Sequence, residues 1–142
     1  FEAVIQTHIA SAAVALQSSP MHEHESVGEY LLRTVGAAAE VIDSSGRSAT
    51  ARLVVAEGLE FPLLAQMYRR YVHDALLEHF TRLAQLAAQR NELKAPELVQ
   101  HPELLLAPLW LAMMNNTVIH PEVPMNAGTL FRLQVTLLFK MP

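Results

Sequence analysis

The feature that most constrains how this 142-residue chain can fold is a polar stripe in its middle. Arg70, Asp74, Glu78, Arg82, Gln85 and Gln89 recur at three-and-four spacing. A helix gathers such positions on one face, whereas a strand, with its period of two, scatters them over both. Leu64, Met67, Tyr71, Leu76, Phe80, Leu83 and Ala87 fall away from the stripe. The segment from Pro62 to about Gln89 is therefore expected to be one long helix whose apolar face is the backbone of the core. Glu78 and Arg82 stand where an i,i+4 ion pair forms.

The remaining chain divides at short loops, at Ser18-Ser19-Pro20, Asp43-Ser44-Ser45-Gly46, Asn91 to Pro96 and His120 to Pro124. Ile5, Ile9, Ala12, Ala13 and Leu16 mark a first amphipathic helix, and Val27, Tyr30, Leu31, Val35, Ala38 and Ile42 a second. A third starts near Ser48, an effective N-cap, and carries Leu53, Val54 and Leu59 until Pro62 breaks or kinks it. From Pro102 to about Asn116 the sequence is apolar nearly all round, with Pro108 expected to bend the helix or open its hydrogen bonding. The last helix, from about Asn126, keeps polar residues only on the arc of Thr129, Arg132, Thr136 and Lys140. Ala127, Leu130, Phe131, Leu133, Val135, Leu137 and Leu138 fill an apolar arc of about 200°, twice the roughly 100° that an ordinary surface helix buries. One face can pack on its own domain, and the other wants a second subunit. Val54-Val55 and Val135 to Phe139 are β-friendly but lie inside helical patterns, so one all-α domain over 1–142 is expected.

Composition narrows the function classes. The hydrophobic fraction is 51%, high for a soluble domain, which points to apolar surface for a partner or ligand as well as a core. The longest strongly apolar run, Leu104 to Met114, is too short to span a bilayer and is interrupted by Pro108. Cysteine is absent, so no disulfide or thiolate site exists, and no basic, signal-like segment opens the chain; a cytoplasmic protein is expected. The net charge of −4, with ten scattered basic residues, lacks the footprint that phosphate binding needs, so this segment alone is not expected to hold DNA. The sequence opens at Phe1 inside an apolar pattern and reads as part of a longer protein whose missing portion lies upstream.

The stretch Arg52-Leu53-Val54-Val55-Ala56-Glu57-Gly58-Leu59-Glu60-Phe61-Pro62-Leu63-Leu64-Ala65 resembles a signature of C-terminal domains in the TetR family of bacterial transcriptional regulators, where a short helix ends in Phe-Pro before the long one. The similarity continues through Gln89-Arg90-Asn91-Glu92-Leu93, a Pro-Glu-Leu start at Pro96, and the central proline of Leu106-Ala107-Pro108-Leu109. Phe1-Glu2-Ala3-Val4-Ile5 is similar to the family's junction with its helix-turn-helix head. Where the family commonly has Gly after the long helix, this chain has Asn91, which tolerates the same left-handed backbone. The resemblance implies a bundle of about six helices that homodimerises through its last two. It also implies a ligand cavity in each subunit whose filling changes the spacing of two DNA-binding heads, most often in a repressor.

Candidate chemical residues are few. His22-Glu23-His24-Glu25 could offer metal ligands, but neighbours one or two apart on a helix diverge and no second cluster at i,i+4 spacing completes a site. His8 lies between Ile5 and Ile9, as a core histidine or a ligand contact. Glu57 and Glu60 read as a solvated helix edge, no Gly-rich phosphate loop exists, and neither catalysis nor a cofactor is expected. An apolar effector pocket is expected among His8, Leu31, Phe61, Met67, Tyr71, Trp110 and Met113. Leu104, Leu111 and Asn115 project together, opposite Leu106, Trp110 and Met113. With Phe131, Val135 and Leu138 they form the expected dimer face. Two classes stay open: a sensor for a small, largely apolar effector, and a helical dimerisation module without a ligand.

Overall fold

The computed structural model describes residues 3, 16, 18–42 and 48–142, and the side chains of Ser48 and Thr50 are left aside. Helix α1 runs as α-helix Val27–Leu31, a π segment Leu32–Gly36 and α-helix Ala37–Glu40. Its start is a complete capping box: Glu29 N–H donates to Ser26 Oγ (3.1 Å) and Ser26 N–H donates to the Glu29 carboxylate (2.9 Å). Helix α2 spans Ser48–Glu57. The chain turns through Gly58 to Phe61, and α3 begins at Pro62, whose missing N–H costs nothing in a first turn. Of the break or kink expected at Pro62, the break is what forms, and the long helix starts there.

The long helix α3 comprises Pro62–Tyr68, a π segment Arg69–His73 and Asp74–Gln89. All six residues of the polar stripe are exposed, and the Arg82–Glu78 pair forms at 3.3 Å. The helix ends in a Schellman motif: Glu92 N–H donates to Ala87 O (2.8 Å) and Asn91 N–H to Ala88 O (3.1 Å), with Asn91 at φ 56°. The left-handed role expected of Asn91 is met.

Two 3-10 turns, Pro96–Val99 and Pro102–Leu106, lead into α4, Ala107–Met114, which continues as a π segment Asn115–Ile119. Pro108 stands in the first turn of α4, so the expected bend is a change of helix type before the proline. Helix α5, Ala127–Leu138, is capped by Asn126, which accepts from Thr129 N–H at 3.0 Å. Lys94 N–H donates to Leu138 O and Lys140 N–H to Glu92 O, and Leu93 pairs with Phe139 in an isolated antiparallel bridge that ties the chain after α5 to the end of α3. Among the described residues the architecture is all-α, and no helix is long and apolar enough to cross a membrane.

The main core lies between α1, the second half of α3, α5 and the turn at Leu105. Tyr30, Leu31, Phe80, Phe131, Val135 and Phe139 are all but sealed from solvent there. Helix α5 approaches the end of α1 so closely that a Cβ on Gly128 would lie 2.9 Å from the backbone N and Cα of Glu40. Only glycine fits there. A smaller cluster, Leu64 and Met67 with Val54 and Tyr71, joins α2 to the start of α3.

Candidate functional site

The residues expected to line a pocket are separated by the fold. Leu31 is fully packed in the main core, and Trp110 flanks that core with its ring edge-on to Tyr68 at 5.9 Å between centroids. Met67 and Tyr71 belong to the small cluster beside α2. Met113 is buried on α4, whereas Phe61 is 58% exposed and forms no part of an interior wall. The reason is local: Phe61 precedes the proline that opens α3, so its backbone is non-helical (φ −122°, ψ 78°) and its side chain lies outside the helix face that carries Leu64 and Met67. His8 lies outside the described residues.

The expected dimer face divides in the same way. Leu104 and Leu111 are exposed. Phe131 and Val135 have no accessible surface within the single chain, and Leu138 is half-buried against the main core, so none of these three is the outer face of α5. The apolar residues that α5 turns to solvent are Leu133 and Leu137. Asn115 is buried because α4 passes into a π segment there; its Nδ2 donates to Val123 O (3.0 Å) and Asn116 Oδ1 (3.1 Å), pinning the loop before α5. Across the Pro102–Leu106 turn and α4, Leu106 and Met113 are inside and Leu104 and Leu111 outside.

The His22–Glu25 segment is occupied with structural work. Glu25 accepts from Arg33 through both oxygens (2.7 and 2.8 Å) and from His22 N–H (2.9 Å). Arg33 holds the Glu25 carboxyl at about 2, against partial burial that acts the other way. Among the described residues no group of three His, Cys, Asp or Glu side chains stands where it could hold a metal. An open crevice of about 550 Å³ lies beside this segment, where Glu25, Arg90, Glu92 and Lys140 meet. Its charged groups are engaged within the chain. Arg90 donates to Glu25 O (3.2 Å), Glu92 accepts from Val27 N–H (3.2 Å), and Lys140 donates to Asn91 Oδ1 (3.2 Å).

Two buried side-chain atoms lack a hydrogen-bond partner among the described residues, Gln134 Oε1 on α5 and His79 Nε2 in the core. His79, on α3, is 4% exposed, and its Nε2 has no hydrogen-bond partner among the described residues. It faces the ring of Tyr30 edge-on and lies tilted to Phe80, each at 6.2 Å between centroids. Burial, reinforced by the Arg82 charge, lowers its pKa and so disfavours the charged ring. Sequence reasoning passed it over in favour of His8. The signal was present, since His79 lies three residues after Leu76 and four before Leu83, inside the apolar spacing of the long helix. Burial also pushes the Tyr68 hydroxyl up, to about 12.

Compared with known protein families, curated proteins and solved structures, the chain shows no match.

Proposed function

We propose that this chain is the effector-sensing and homodimerisation domain of a TetR-type transcriptional regulator, acting on DNA only through a separate helix-turn-helix domain. The observation that carries the dimer is the row of exposed leucines on the packed pair α4 and α5 and the turn before it. Leu104, Leu111, Leu133 and Leu137 are 45%, 52%, 57% and 64% exposed. Large apolar side chains grouped on adjacent elements mark a surface that a partner covers. Burying them in a second copy would give the four-helix arrangement that the sequence resemblance implies, with Leu133 and Leu137 taking the places first given to Phe131 and Val135. Sedimentation equilibrium at micromolar concentration tests this. The unmodified chain is expected to be a dimer, and the Leu133→Glu, Leu137→Glu double variant a folded monomer, because two charges would have to be buried unpaired. A monomeric unmodified chain would reject the reading.

The sensor half rests on the inward aromatic and Met side chains and on a buried polar group without a partner. Dispersal of the expected pocket wall favours the second reading, a dimerisation module without a ligand. Native mass spectrometry of the purified dimer separates the two: a co-purified small molecule supports the sensor, and a mass equal to twice the chain after incubation with an apolar compound library supports the scaffold.

A further inference from the structure

We propose that His79 is the polar anchor of the effector site, and that the effector is an uncharged, largely apolar molecule whose hydroxyl bonds to its Nε2. The inference rests on the sensor reading above. A buried polar atom without a partner carries a free-energy penalty that any matching group removes. A water would need two to four polar partners to settle beside it. The rings against His79 are Phe80 and Tyr30, and the Tyr30 hydroxyl is already donated to Ser19 O (2.5 Å) and Leu16 O (3.3 Å). The buried Thr34 hydroxyl is likewise donated, to Tyr30 O (2.8 Å). The surroundings therefore suit an apolar body with one polar group better than a water. A hydroxyl both donates and accepts, so it satisfies Nε2 in either neutral tautomer, whereas a carbonyl suits only one. A charged ligand would lose its hydration among these rings without compensation.

The test uses matched probes: cyclohexanol against cyclohexane, and 2-naphthol against naphthalene. Binding is followed on the purified chain by the imidazole ¹⁵N signals of labelled histidine and by displacement in native mass spectrometry. The alcohol of a pair that binds is expected to bind about 2- to 12-fold more tightly than its hydrocarbon, as the net worth of one buried hydrogen bond predicts, and to shift the His79 Nε2 signal. His79→Leu should abolish the preference and leave hydrocarbon binding in place, while His79→Gln should keep part of it. Hydrocarbons binding as tightly as alcohols, or a preference that survives His79→Leu, would overturn the anchor and leave the sensor reading standing. Failure of every probe to bind would overturn both. A His79→Leu protein that gains stability with no change in probe affinity would show an internal water or plain strain at this position, and would also overturn the proposal.

Discussion

The two ends of α3 are equally rich in apolar residues and very differently covered. Its second half sends Phe80, Leu83, Ala84 and Ala87 into a core shared with α1 and α5, and all four are buried. Its first turns, with α2, bury only Leu64 and Met67 in their cluster and leave Leu53, Val55, Leu59, Phe61 and Leu63 in contact with solvent. Hydrophobic stabilisation follows area removed from water, not apolar content, so the two halves of one helix contribute unequally to stability. The comparison also places the candidate site. His79 lies on the well-covered half, where an unpartnered nitrogen is costly, and not beside α2, where water could reach it.

The largest effects belong to the covered half. Phe80→Ala or Phe131→Ala should cost about 3–5 kcal/mol in denaturant unfolding, whereas Met67→Ala should cost about 2 kcal/mol and Phe61→Ser less than about 0.5 kcal/mol. Equal losses for Phe80 and Phe61 would break the comparison. Next comes Gly128→Ala, expected to cost about 1–3 kcal/mol because the new methyl meets the Glu40 backbone as well as its side chain, and only the side chain can turn away.

Acid sensitivity sharpens the same contrast. The pKa of Glu25 is depressed on folding, chiefly by the Arg33 hydrogen bonds, so its contribution is fully present above the ordinary carboxylate value of 4.5 and is lost as the pH falls toward about 2. Glu25→Gln should remove that part of the acid-side loss, about 1 kcal/mol given that Arg33 is partly open to solvent, measured as unfolding free energy at pH 6 and pH 3. One small change is a gain: Asn91→Gly should stabilise by about 0.5–1 kcal/mol, since only the left-handed strain of a non-glycine residue is relieved. A loss at this position would show that the Asn91 contact with Lys140 outweighs backbone strain.

What the sequence alone determined were the properties local to each helix. The polar stripe of α3, its start at Pro62, the left-handed Asn91 and the start of α5 at Asn126 were all legible, because periodicity, proline and capping chemistry act within a few residues of one another. That Leu104 and Leu111 project opposite Leu106 and Met113 followed from the same angular arithmetic, but not which pair faces inward. Tertiary structure decided the absolute direction of each face. On α5, the Phe131–Val135 row and the Leu133–Leu137 row lie about 160° apart at 100° per residue and are both strongly apolar. Periodicity fixes the angle between two rows but not which of them meets the neighbouring helix. The close approach at Gly128, the π segment that turns Asn115 inward and the isolation of the His79 nitrogen arise from contacts between α1, α3, α4 and α5. Those residues are distant in sequence, and their meeting is set by how the apolar area of several helices is shared out at once.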